Sequence, residues 1–488
     1  MKLNGPSKIY LPEDNDQVKK FLTFHDRSVD FQLRKMKQNY RWAQNDPEGY
    51  TERIELLKSQ STKTLLFYDE AGNPYTYSGL WNDLINRFGW SMDGDLDSDL
   101  FKVSPKTLPW ASIPPEMYYY QKEAVEALIK SRHGAIELPT GSGKSLIILN
   151  LAKHYGCKTI IATPSCAITD QLYNDFVKYF GKKYVGKYGD GKKEYKKLFT
   201  IAVAQSLTRL EEGSEAWEEL YKAQILIWDE SHTTPAETFD KVCLGVASNA
   251  YYRFFVSATQ LRNDGSEMIL KGITGPVVYS KGFKELVDQG YLSKLVFKTF
   301  TANTYGTANK SDAKAETRSQ LYLNPNVNSL AGSIASQAVT LGDRQVLIII
   351  EEFKQFLQLK NFLKVPYEFV HGGASKDAKE LLPSEYWKCD TQQIVADFNS
   401  GKTRCLIGTS AISTGVDLKP TGCIIYLQGG TSEIKVRQAL GRGTRIFLGK
   451  KDCWVIDFKV QGSNTMERHY KIRKEIYESL GDVTEHAR

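Results

Sequence analysis

The stretch Leu138-Pro139-Thr140-Gly141-Ser142-Gly143-Lys144-Ser145 closes the apolar run Ala135-Ile136-Glu137-Leu138 and opens the helical pattern Lys144–Tyr155. Strand, glycine turn and helix in that order are what a phosphate cradle requires. Gly141 and Gly143 let the backbone wrap a phosphate chain with its N–H groups, and the helix N-terminus adds its positive dipole end. In such a cradle Thr140, Gly141, Ser142 and Gly143 would hold the phosphates, Lys144 would reach the β and γ phosphates, and the Ser145 hydroxyl would ligate Mg²⁺. One position departs from the usual pattern: the glycine expected five residues before Gly143 is Leu138. A glycine turn capping an ordinary helix would explain the glycines, but not the order of elements around them.

Outward from this stretch the chain alternates. Runs rich in Ile, Val and Leu near 134–138, 158–162, 200–204, 224–228 and 253–257 are separated by helical stretches such as Lys144–Tyr155 and Asp170–Phe180. The pattern restarts with runs at 345–350, 367–370, 404–408, 422–427 and 453–457. Strand and helix repeated in this way predict parallel sheets with helices on both faces, in two tandem α/β units. The first hundred residues read as a small mixed α+β domain, with a strand over Thr64–Tyr68, turn chemistry in Asp69–Pro74 and a helix over Leu80–Phe88. The acidic, apolar-poor stretch Ser91–Asp99 and four prolines from Pro105 to Pro115 predict a linker. The expected domains are 1–105, 106–295 and 296–458, followed by a C-terminal helical extension, 459–488.

Composition bounds the rest. At ~150 residues per domain, 488 residues predict roughly three domains. The hydrophobic share of 41% and charged share of 25% are those of a soluble globular chain. Val346–Ile350 is strand-length, far from the ~20 apolar residues a membrane span needs. The opening Met1–Pro6 has no apolar signal core, so the expected location is the cytoplasm. Seven cysteines without CxxC pairs and seven thinly spread histidines argue against disulfides and structural zinc. The excess of 64 basic over 57 acidic residues is mild. It belongs to the chain beyond residue 110, because residues 1–110 hold 15 basic and 16 acidic side chains.

Two further stretches carry chemistry. Ile225-Leu226-Ile227-Trp228-Asp229-Glu230-Ser231-His232 is a buried-strand pattern ending in adjacent carboxylates. Asp229 suits an Mg²⁺ shell, and Glu230 suits the orientation and deprotonation of an attacking water. Gln438-Ala439-Leu440-Gly441-Arg442-Gly443-Thr444-Arg445 puts two arginines three apart, which predicts that they lie on the same side of a helix. Arg442 and Arg445 can then bridge a triphosphate held by another domain, as arginine fingers do. A lone pair of this kind is more often a basic surface helix; its company here decides the reading.

Together these residues resemble a superfamily 2 helicase over Tyr118 to about Asp457. Leu138–Ser145 and Asp229–His232 match its motifs I and II. Thr163-Pro164-Ser165, Ala204–Leu207 and Ser257-Ala258-Thr259 fit the motifs between lobe one's strands. Thr409–Asp417 resembles motif V, and Gln438–Arg445 resembles motif VI. The glycine loop, Ser257–Gly265 and Glu285–Leu292 are most similar to the phage UvsW type of branched-DNA helicase, related to the XPB and RecG groups.

The resemblance implies two RecA-like lobes, with Gln121 of Tyr119-Tyr120-Gln121 reading the adenine edge and Asp417 joining the nucleotide site. It implies ATP and Mg²⁺ as cofactors, phosphate contacts to a strand through Thr163, Ser206, Thr409 and Thr414, and 3′ to 5′ movement. The implied partners are forked or branched DNA (forks, Holliday junctions, R-loops) and replication or recombination proteins. The implied state is a monomer in the cytoplasm, the host's if the chain is phage-encoded. An RNA or RNA–DNA helicase, a duplex translocase that separates no strands, and an annealing scaffold with a switch-like ATPase remain open.

Three segments stand outside these motifs. Lys182–Lys197 interleaves lysines with tyrosines, which suits either phosphate contact and stacking or a plain solvated loop. Arg34, Lys35, Lys37, Arg41 and Trp42 form a basic-aromatic cluster that either meets a duplex or sits on a domain that merely packs. Met466–Tyr477 reads as an amphipathic helix packed on the second α/β unit.

Overall fold

The computed structural model describes residues 1–4, 7–37, 40–91, 106, 108–231, 234, 236–258, 267–306, 312–371, 380–387, 389–409, 412 and 417–486. The chain forms two compact units, Met1–Leu138 with Lys144–Ser280 and Pro139–Gly143 with Lys281–Arg488. Among the described residues no helix is long and apolar enough to cross a membrane.

The first unit opens with β1 (Lys2–Asn4) and β2 (Lys8–Tyr10). An excursion follows in which β3 (Thr23–His25) pairs antiparallel with β4 (Thr62–Thr64), the helices Arg27–Lys37, Tyr40–Asn45 and Pro47–Ser59 lying between them. The chain returns through β5 (Phe67–Tyr68) and β6 (Pro74–Tyr77) to complete an antiparallel sheet in the order β1-β2-β6-β5. The turn between β5 and β6 is made as expected: Asp69 Oδ1 accepts the N–H groups of Ala71 and Asn73 at 3.0 and 2.8 Å. The strand expected over Thr64–Tyr68 is broken, because Leu65 and Leu66 leave the ladder to enter the core.

The main sheet of this unit comprises β7 (His133–Glu137), β8 (Thr159–Thr163), β9 (Val185–Gly189), β10 (Lys192–Lys193), β11 (Phe199–Val203), β12 (Ile225–Asp229), β13 (Tyr252–Ser257) and β14 (Val277–Ser280). Their order is β10-β9-β11-β8-β12-β13-β7-β14, parallel except at β10. Every residue of β8, β11, β12 and β13 is buried, which is why these strands read as continuous apolar runs rather than alternations. Sequence reading missed β9 and β10, where Gly186, Gly189 and Gly191 interrupt the apolar pattern.

The N-terminal sheet shares this unit's core. Ile9, Val18, Leu22, Tyr77, Leu80 and Leu84 belong to one buried cluster with Trp228, Phe239 and Phe255. Arg253, on β13, is buried and is held by a hydroxyl and backbone carbonyls. Its Nη2 donates to Ser7 Oγ at 2.6 Å and to the carbonyls of Cys243 and Ala247 at 2.9 and 3.0 Å. Tyr77 OH donates to Asp240 Oδ1 at 2.7 Å, and Lys271 pairs with Asp83 at 2.6 Å.

The second unit contains β15 (Lys294–Asn303), β16 (Gln345–Ile349), β17 (Glu368–Val370), β18 (Cys405–Gly408), β19 (Thr421–Tyr426), β20 (Asp452–Gln461) and β21 (Val483–His486). They run parallel in the order β17-β18-β16-β19-β20-β15-β21. The expected C-terminal helix spans Asn464–Glu478 and is pinned to β20 from inside. Arg473 Nε and Nη2 donate to Asp457 Oδ2 and Oδ1 at 2.8 and 3.0 Å, and Tyr477 OH donates to the same carboxylate at 2.9 Å. Arg473 and Asp457 are each 2% exposed, so this part of the basic pattern faces inward.

Candidate active site

Gly141 and Gly143 have φ of +92° and +79°, conformations that a side chain rarely adopts. Gly141 has a second constraint, because a Cβ there would stand 2.3 Å from Thr444 Oγ1. Within the second unit, to which Pro139–Gly143 belongs, Thr444 Oγ1 lies within hydrogen-bonding reach of Thr140 O at 3.0 Å and Gly441 O at 2.9 Å. Ser142, also of this segment, is buried and donates its N–H to Pro139 O at 3.2 Å. Sequence reading gave Thr444 no role, although it lies inside the quoted arginine stretch.

In the first unit, the strands feeding the site end side by side. Leu138 N donates to Ser257 O at 2.9 Å, tying the end of β7 to the end of β13. Lys144 starts the helix Lys144–Tyr155, and its Nζ lies 3.3 Å from Leu138 O and 3.3 Å from Glu230 Oε1. Asp229 is the last residue of β12, and its Oδ1 accepts the N–H of Glu230 at 2.9 Å. Glu230 has φ +49°, a left-handed turn that costs a non-glycine residue roughly 1–2 kcal/mol. That turn ends the strand while keeping Glu230 Oε1 beside Lys144. Burial, reinforced by the Glu230 carboxylate and opposed by Lys144, holds Asp229 well above the usual carboxylate range.

A buried carboxylate held protonated beside a lysine gains from a bound cation, which would favour its charged form. Ser145 is half-buried in the first turn of the lysine's helix. With Asp229 it offers hard oxygen donors of the kind Mg²⁺ accepts when phosphates and water complete its shell. Among the described residues no cluster of three His, Cys, Asp or Glu could hold a metal unaided. These residues fit a magnesium–nucleotide pair, which would supply the reactive phosphate and its charge neutralisation. Gln121 is buried at the start of the helix Tyr119–Ser131, where its Oε1 accepts the N–H of Tyr118 at 2.9 Å.

The arginines of the second unit do not share a helical face as expected. The helix Glu433–Leu440 stops before them, and Arg442 and Arg445 lie on the loop that follows. The packing there requires glycines, since a Cβ at Gly441 would meet Thr140 Cγ2 at 2.2 Å and one at Gly443 would meet Cys453 Sγ at 2.5 Å. Ser293 N donates to Thr444 O at 2.7 Å and Ser293 Oγ to Arg445 O at 2.9 Å. Lys450 Nζ donates to Gly443 O and Arg445 O at 2.6 and 2.8 Å. Arg442 is buried, and Arg445 is ion-paired with Asp417. Sequence reading missed Ser293 and Lys450, whose partners are backbone carbonyls and leave no motif.

Residues 114–262 match the family described as the res subunit of type III restriction enzymes, and residues 334–447 match the helicase conserved C-terminal domain. The chain is 26% identical over 362 residues to the DNA 3'-5' translocase XPB2 of Sulfurisphaera tokodaii, covering 69% of this chain and 79% of that protein. It is 22% identical over 383 residues to the ATP-dependent DNA helicase uvsW of Enterobacteria phage T4, covering 72% of each. The chain belongs to the superfamily 2 helicases.

Its two parallel-sheet units are the RecA-like lobes of such a helicase. A structure of S. cerevisiae Dbp5 bound to RNA and ADP BeF3 shares the fold, with a TM-score of 0.50, 15% identity, and coverage of 76% of this chain and 89% of that one. Several helicase positions named from the sequence lie outside the described residues: His232, Thr259–Gly265, Ser410, Ala411 and Ser413–Val416, including Thr414. So do most of the expected linker and the side chain of Arg41. Of the expected strand contacts, Ser206 and Thr409 are half-buried, while Thr163 is fully buried with its Oγ1 2.5 Å from Thr169 Oγ1. The Thr163 hydroxyl therefore braces the end of β8.

Proposed function

We propose that this helicase is an ATP-dependent DNA motor that remodels branched DNA, regressing forks and migrating branches, with 3′ to 5′ movement. The observation that carries the ATPase part is the buried cluster of Lys144, Asp229 and Glu230. Lys144 engages the phosphates, Ser145 and Asp229 hold Mg²⁺, and Glu230 orients and deprotonates water. Thr140–Gly143 cradle the phosphates, Gln121 reads adenine, Asp417 joins the nucleotide site, and Arg442 and Arg445 stabilise transition-state charge. Two similar proteins are named for DNA, one as a 3'-5' translocase and one as a helicase, which supports DNA and the direction.

The partners follow from that reading: forks, Holliday junctions and R-loops, handled by a cytoplasmic monomer alongside replication or recombination proteins. The test is a matched panel of single strand, blunt duplex, fork, Holliday junction and RNA–DNA hybrid, scored for ATP turnover and strand displacement. Fastest turnover and unwinding on forks and junctions is the expected result. Turnover on duplex without strand separation would make the protein a translocase. Stimulation by RNA alone would replace DNA as the substrate.

A further inference from the structure

The basic segment Lys182–Lys197 has no part in that reading, and it is a built structure, not a plain loop. β9 and β10 form a hairpin at the edge of the first unit's sheet, with β10 outermost. Its turn runs through Gly189, Asp190 and Gly191 at φ +113°, +52° and +74°. Gly189 is fixed by proximity as well, because a Cβ there would lie 2.8 Å from Ser206 Oγ. The hairpin therefore abuts the residue expected to contact a nucleic-acid strand.

The acids around this hairpin are already engaged. Buried Lys187 is ion-paired with Asp170 and lies 3.6 Å from Asp190. Glu194 Oε2 accepts the N–H of Lys187 at 3.2 Å. Glu215 takes both Lys196, at 2.5 Å, and the hydroxyl of Tyr195, at 2.9 Å. What remains outward is positive. Lys192 and Lys193 are exposed on β10, and Lys182 and Lys183 are exposed in the turn before β9. Among the described residues no ion pair joins any of the four to a carboxylate. Lysines on an edge strand also discourage sheet-to-sheet pairing. That role alone does not account for a paired hairpin seated against Ser206 with its acids neutralised.

We propose that Lys192 and Lys193, supported by Lys182 and Lys183, bind the phosphate backbone of nucleic acid beside the strand contact at Ser206. This rests on the reading of the chain as a DNA motor. The test measures binding of the full chain to a single strand and to a duplex of about 30 nucleotides per strand across a salt series, since each phosphate contact adds ~0.9 to the salt slope for duplex and ~0.7 for single strand. For Lys192→Ala/Lys193→Ala the slope is expected to become shallower by roughly 1.8 on duplex, or roughly 1.4 on single strand. The polymer that shows the change is the one the hairpin grips. Lys182→Ala/Lys183→Ala provides a second pair, and unchanged unfolding midpoints verify the fold of both. Unchanged slopes on both polymers, with normal wild-type binding, overturn the proposal and leave the lysines as edge guards. Failure of the wild type to bind either DNA overturns the motor reading itself.

Discussion

Lys144 Nζ lies 3.3 Å from Glu230 Oε1, with the two side chains only 8% and 14% exposed. The lysine is thus the cation facing two adjacent carboxylates, Asp229 and Glu230, at the end of a buried strand. Removing one partner of a buried pair costs about 3–5 kcal/mol because it strands the other charge.

Lys144→Ala is therefore expected to abolish ATP hydrolysis and also to lower the unfolding midpoint. Glu230→Gln relieves repulsion, so it is expected to hold or raise the midpoint while turnover falls by at least about 100-fold. Thermal unfolding and steady-state ATPase assays on both variants check this. Wild-type turnover in Glu230→Gln would remove Glu230 from the chemistry.

Asp229 gives a pH signature. Burial, with the neighbouring Glu230 carboxylate, pushes it up to about 7, whereas an unfolded aspartate titrates near ~4. Across that window the folded state keeps a proton that the unfolded chain has released. This group therefore erodes stability as pH rises from about 4 to about 7, and its effect is constant above. Asp229→Asn should melt higher than wild type at pH ~8, with the gap closing toward pH ~4. Unfolding midpoints across this range measure it, and a gap independent of pH would refute the shift.

Arg445 is paired with Asp417, and in the proposed mechanism a nucleotide's phosphates compete with that carboxylate for its guanidinium. Arg445→Ala should slow hydrolysis by about 10³-fold or more while leaving nucleotide affinity within a few-fold. Single-turnover hydrolysis beside a nucleotide titration separates the two effects. Equal losses would make Arg445 a ground-state contact.

The second unit depends on an internal charge. Arg473→Met removes both hydrogen bonds to the buried Asp457 carboxylate and should cost about 3–5 kcal/mol in denaturant unfolding. Tyr477→Phe removes one hydrogen bond to the same group and should cost about 1–3 kcal/mol. A loss under about 1 kcal/mol for Arg473→Met would show that water replaces it.

Much of this was legible because buried parallel strands write themselves as uninterrupted apolar runs. The helix Lys144–Tyr155 begins and ends where its pattern does. Lys144, Asp229 and Glu230 were readable because the chemistry proposed for them dictates residue type at fixed places after strands. Legibility failed where backbone geometry decides. Glycines required by the turn and by Ser206 hid β9 and β10. Arg442 and Arg445 looked helical by spacing, but the helix ends at Leu440 and the chain passes through two glycines, Gly441 and Gly443, that leave no room for a Cβ. Thr163 matched a strand-contact motif, and only its burial shows that its hydroxyl is spent on Thr169.

The bond from Arg253 Nη2 to Ser7 Oγ spans 246 positions of the chain. At a synthesis rate of ~5–20 residues per second, the opening strands are made roughly 12–50 s before the guanidinium that will hold them exists. The first residues made are therefore among the last to be sealed, and until then Ile9, Tyr77 and Leu84 lack the surface that buries them. A chain shortened from its front meets the opposite problem: Arg253 loses its hydroxyl partner and the shared core loses a wall. Poor behaviour of such a chain on forks would report incomplete folding, so junction recognition has to be probed on the intact chain.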